Sequence, residues 1–127
     1  MDKEELIRCL DENKERVIES TQNEAKEKEY FNNYTSSPEE LIFMAANDTI
    51  EALKVIIQLE RYTIFKNKIK WFKSMSEARD IQINMKTSLI EFMLLLKSQI
   101  EQNCIKDERI TTVFDNMIDI ISEEFED

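Results

Sequence analysis

The chain predicts an all-α fold, on three observations. It holds no glycine and one proline in 127 residues, where average usage would supply roughly nine and six, so long helices with few tight turns are expected. Apolar residues recur at i, i+3, i+4 and i+7 through most of the sequence, the spacing that aligns them on one helical face. Helix-start signatures stand where those runs begin, as in Ser37-Pro38-Glu39-Glu40, which reads as N-cap, proline at the first helical position and capping-box glutamate. One domain over residues 1–127, built of about five to six helices, fits a length that supports one core but not two.

The first helix is expected from Asp2 to about Phe31, with Leu6, Leu10, Val17 and Ile18 near helical period and a polar, half-solvated second half. Asn32 to Ser37 is the clearest break, and a second helix begins at Pro38. It carries Leu41, Met44, Ala45, Leu53, Ile56 and Ile57 toward Arg61. Asn47-Asp48-Thr49 marks a weak point for a kink or short gap, because short polar side chains compete there for backbone hydrogen bonds. From Tyr62 to Met75 aromatics and lysines mix without a clean period, which reads as short helices and turns. Ser74-Met75-Ser76-Glu77 offers another capping box, ahead of a stripe formed by Ile81, Met85, Leu89, Phe92, Met93, Leu96 and Ile100. Leu94 and Leu95 widen that stripe around most of the circumference, so this helix is expected at the centre of the core. Asp107 caps a last helix whose Ile110, Val113, Phe114, Met117, Ile121 and Phe125 oppose an acidic face, and Glu123 to Asp127 is expected to fray.

Composition excludes several classes of function. There is no histidine, which removes the imidazole base, the Ser-His and Cys-His pairs, a globin-type haem ligand and ordinary zinc sites. Without glycine there is no phosphate-cradling loop or dinucleotide fingerprint. A net charge of -10 argues against nucleic acid as a partner. The charge is uneven: Asp107 to Asp127 holds eight carboxylates against Arg109, whereas Arg61 to Lys73 holds five basic residues and no acidic one. Cys9 and Cys104 are far apart in sequence and match no metal or redox spacing, which reads as reduced thiols in a cytoplasmic protein, with no disulfide expected between them. The longest nearly apolar stretch, Leu89 to Leu96, is far below the roughly 20 residues that span a bilayer, and nothing at the amino terminus resembles a signal peptide.

Three constellations are candidates for function. In the basic-aromatic band, Tyr62, Lys73, Trp71 and Phe72 would hold an anion or the carboxylate of an amphiphile, although a solvated surface with inward-facing aromatics is the default. A methionine and phenylalanine set comprising Met44, Met75, Met85, Phe92, Met93, Phe114 and Met117 would line an adaptable apolar cavity, against ordinary core packing. Paired carboxylates such as Asp115 with Asp119, or Glu123 with Glu124, are weak evidence for a cation, since neither a Glu-x-x-His motif nor the glycine of an EF-hand loop is present. Arg79 stands apart within the first turn of the most apolar helix, where burial would require an anionic partner, a protein carboxylate such as Asp48 or Glu77 in preference to a ligand.

The segments Leu6-Ile7-Arg8-Cys9-Leu10-Asp11-Glu12-Asn13-Lys14, Glu77-Ala78-Arg79-Asp80-Ile81-Gln82-Ile83 and Ile110-Thr111-Thr112-Val113-Phe114-Asp115 resemble the non-haem globin sensor domains of Bacillus-type regulators. These include the amino-terminal domains of stressosome RsbR proteins and free-standing, plasmid-encoded sporulation-inhibitory proteins. The resemblance implies a globin-like helical domain without haem, a homodimer, and a fatty acid in an apolar tunnel with a halide ion nearby. Arg79 and Gln82 are then candidate ligand anchors beside Tyr62 and Lys73. The apolar pocket would be drawn from Met44, Leu53, Ile56, Ile57, Phe65, Trp71, Phe72, Met75, Met85, Leu89, Phe92, Met93, Phe114 and Met117.

The resulting expectation is a cytoplasmic, non-catalytic signal-sensing domain without an output module. It would bind a fatty-acid-like ligand and inhibit sporulation by titrating the signal or partner of a related sensor histidine kinase. Helices 77–105 and 107–125 would form the dimer surface. The rival is a helical protein-interaction module, Bcl-2-like or of the immunity type, with no small-molecule ligand, which a core filled by its own side chains would favour.

Overall fold

The computed structural model describes residues 1–28, 37–78 and 85–125. The described residues form five α-helices and no strand. They are α1 (Lys3–Glu27), α2 (Pro38–Leu59), α3 (Thr63–Ala78), α4 (Met85–Asn103) and α5 (Glu108–Glu124).

Local chemistry accounts for several ends. Asp2 caps α1 by accepting from the Glu5 N–H at 2.8 Å, and Asp107 caps α5 by accepting from the Arg109 N–H at 2.8 Å, each satisfying a donor that the first helical turn leaves without a partner. Pro38 opens α2, where its missing N–H costs nothing, although the Ser37 side chain makes no capping bond. α2 stops at Glu60, which adopts φ 55° and donates its N–H to the Ile56 carbonyl. This left-handed C-cap is the usual place for glycine, and a glycine-free chain builds it from glutamate.

The helix directions follow from side-chain pairing. Lys54 pairs with Asp11, Lys14 with Glu51 and Lys26 with Glu39, so α1 and α2 are antiparallel. Cys9 meets Cys104, which sets the start of α1 against the end of α4. The four-residue connection 104–107 turns α4 back into α5, and α5 also packs on α2. The contacts therefore close a ring in the order α1, α2, α5, α4, around a continuous core that includes Leu6, Leu53, Phe92, Leu96, Phe114 and Met117. α3 lies outside this ring on α5 and α2. Its two ends bind α5 in register, Tyr62 through Asn116 and Lys73 through the Glu124 carbonyl, so α3 and α5 run the same way.

Five expectations are corrected. Asn47-Asp48-Thr49 lies inside an unbroken α2, because Thr49 and Ile50 are buried and tertiary packing overrides the local preference for a break. Residues 63–78 form one helix rather than short pieces, and Ser74 to Glu77 belong to its last turns rather than starting the next helix. Leu94 is 50% exposed while Leu95 is buried, so α4 has an open face and takes one side of the ring rather than its centre. The first helix ends at Glu27, short of Phe31. The expected break from Asn32 to Ser36, the stretch 79–84 and the last two acidic residues lie outside the described residues.

Candidate functional site

Of the four candidate anchors, Arg79 and Gln82 lie outside the described residues, and the other two are not brought together. The Tyr62 hydroxyl accepts from Asn116 Nδ2 at 2.9 Å, toward the middle of α5. Lys73 Nζ donates to the Glu124 carbonyl at 2.9 Å, at the α5 C-terminus. A cation there meets the free carbonyls and the negative end of the helix dipole. Both side chains therefore tie α3 to α5.

The apolar pocket candidates divide into two groups. Leu53, Ile56, Ile57, Phe65, Phe72, Met85, Leu89, Phe92, Met93, Phe114 and Met117 are each at most 5% exposed and belong to one continuous core. Met44 and Met75 are partly buried at the edge of that core. Trp71 is 45% exposed and faces a groove.

That groove runs between α2 and α3 and encloses about 410 Å³. Ala52, Thr49 and Phe65 line it together with Ile64 and Trp71, which are 57% and 45% exposed. Asp48, Glu51, Asn67 and Lys68 supply its polar lining. Lys68 Nζ is 2.8 Å from Asp48 Oδ2 and 4.6 Å from the centre of the Trp71 ring. The cation thus holds the indole face while its charge is met by α2. The Trp71 ring meets Phe72 edge-on at 5.1 Å between ring centres, which couples the exposed indole to a buried core residue. Lys66 and Lys70 are exposed on the solvent side of α3.

Ile64 escaped the sequence reading, which placed Lys68 only within the basic-aromatic band, and the reason is geometric. Ile64, Lys68, Trp71 and Met75 form one stripe at i, i+4, i+7 and i+11, and Phe65, Ile69, Phe72 and Ser76 form a second stripe one residue later. Two adjacent stripes blur into a continuous mixed run, so no single period emerges. The signal is legible once each stripe is counted separately: the second is buried, and the first borders the groove.

Ionisable groups with displaced pKa values are held by structural partners. Hydrogen bonds from Lys14 and then Lys54 hold the Glu51 carboxyl below the usual range. Burial pulls Lys54 down, but hydrogen bonds to Asp11 and Glu51 outweigh it and leave this lysine above its usual value. The Arg109 guanidinium beside Asp107 lowers that carboxyl, reinforced by the backbone N–H it caps. Burial, then a hydrogen bond with Cys9, pushes the Cys104 thiol up to about 12. Among the described residues no charged side chain is buried, no group of three or more Cys, Asp or Glu is arranged to hold a metal ion, and no helix is long and apolar enough to cross a membrane.

In comparisons with protein-family models, with curated proteins and with solved structures, nothing matches this chain.

Proposed function

We propose that this chain is a non-catalytic helical protein-binding module whose α2–α3 groove receives the apolar stripe of an acidic amphipathic helix from a partner protein. The observation that carries the reading is the pairing of half-exposed Ile64 and Trp71 over a preformed, mainly apolar groove. Large apolar side chains aligned on one exposed stripe, with polar neighbours at the rim, are what a helix-in-groove interface requires. An indole fixed by Lys68 and Phe72 loses little freedom on binding, which suits it to an anchor role. Charge selects the kind of partner. Although the molecule carries -10 overall, Arg61 to Lys73 is a local positive band, so carboxylates flanking the partner's apolar stripe would meet the exposed Lys66 and Lys70.

The fatty-acid, halide and sporulation reading rests on the three matching segments alone, and most of the side chains it would use to line a pocket belong to one buried cluster. Native mass spectrometry followed by organic extraction separates the two. A protein that releases a fatty acid would restore the globin-like sensor with its homodimer and kinase pathway, whereas a ligand-free species is expected here.

The direct test uses Trp71, the chain's one tryptophan, as reporter. A synthetic helix with leucines at i, i+4 and i+7 and glutamates elsewhere should shift its emission to the blue. The lysine-for-glutamate version of that peptide should bind at least tenfold more weakly at low salt. Equal response to both peptides, or none to either, would overturn the assignment. So would a blue shift that appears on concentrating the protein alone, because a second copy would then be the occupant.

A further inference from the structure

Cys9 and Cys104 are separated by 95 positions, yet their sulfurs lie 2.9 Å apart, about 0.9 Å longer than a covalent S–S bond of ~2.05 Å. The contact joins the first half of α1 to the turn that ends α4, where the Cys104 N–H still bonds the Ile100 carbonyl at 2.8 Å. Helix packing holds both sulfurs in place. α1 and α4 share an extended interface, and Leu6, Leu10 and Ile100 around the pair are at most 2% exposed. On the α1 side, Asn13 Nδ2 donates to the Cys9 carbonyl at 2.8 Å and reaches Cys9 Sγ at 3.7 Å. Both cysteines are free and only partly buried.

We propose that Cys9 and Cys104 are a dithiol modification site that closes to an intramolecular disulfide by exchange with a low-molecular-weight disulfide of the glutathione class. In the first step the Cys9 thiolate attacks one sulfur of the oxidised reagent, forming a mixed disulfide and releasing one reagent thiolate, which takes up a proton. In the second, Cys104 Sγ loses its proton to solvent and attacks Cys9 Sγ, expelling the second reagent thiolate, which is protonated in turn. The two protein thiols lose two electrons and two protons together, and the reagent gains both. Proximity of the two sulfurs makes the second step intramolecular, and burial, which disfavours the Cys104 thiolate, leaves the first attack to Cys9.

The disulfide would close a loop spanning 95 positions and pin α1 to the α4–α5 corner. It lies on α1 and α4, whereas the proposed docking groove lies between α2 and α3, so the two proposals stand or fall separately.

The test takes the full-length protein, fully reduced, and titrates it with oxidised glutathione at neutral pH. The expected result is loss of both titratable thiols, a mass lower by two hydrogens, a monomeric species on non-reducing gels and a rise in Tm of about 10 °C that a reductant reverses. Cys104→Ser should stop at a stable glutathione adduct on Cys9. Two thiols persisting under excess reagent, a wild-type protein that stops at a glutathione adduct, or interchain dimers in place of the internal bond would each overturn the site.

Discussion

At the level of single residues, the ion pairs between α1 and α2 set how this protein responds to acid. Glu51 receives Lys14 and Lys54 together and is held below its ordinary value of 4.5. Its contribution is therefore fully present above about pH 4.5 and is lost as pH falls through the lower, folded value. Glu51→Gln should lower stability at pH 7 by about 0.5–1 kcal/mol, the scale of partly exposed pairs, and should flatten the acid limb of a urea-denaturation series. Cys104 gives the opposite limb. Raised from 9.0 to about 12, it favours the folded chain below pH 9 and loses that contribution as pH climbs toward 12. Reduced wild-type protein should thus lose more stability between pH 9 and 11 than Cys104→Ser, as measured by urea denaturation. Glu60 is strained: at φ 55° a Cβ costs energy that glycine avoids. Glu60→Gly is expected to stabilise by about 0.5–1 kcal/mol.

Among the helices, α5 is the most completely written in local sequence. Asp107 caps it, and Ile110, Val113, Phe114, Met117 and Ile121 form its buried stripe. Asp107→Ala should cost about 1 kcal/mol in chemical denaturation, the usual worth of a lost N-cap. α3 is the contrary case. Its length was hidden because two apolar stripes run side by side, and its position depends on Lys73 and Tyr62 binding α5. Ile64→Asp and Trp71→Ala remove groove contacts without opening the core. Both should reduce peptide binding at least tenfold while shifting Tm by only a few degrees.

For the whole molecule, stability rests on one core shared by the ring of four helices, with α3 added to its flank. Phe114 is fully buried, so Phe114→Ala is expected to cost about 3–5 kcal/mol by urea denaturation, a large part of the roughly 5–15 kcal/mol that holds a domain of this size. Met85, Phe92, Met93 and Met117 of the methionine and phenylalanine set are buried in that same core.

The all-helical class, the helix start at Pro38, the cap at Asp107 and the buried faces of α1 and α5 are determined by the sequence itself, because capping and 3.6-residue periodicity act within a few residues. The unbroken α2, the single α3, the exposure of Leu94, the groove beneath Ile64 and Trp71, and the meeting of Cys9 with Cys104 were decided only by tertiary structure. Each depends on which helix packs against which face, and that choice is made between segments tens of residues apart, where local spacing carries no information.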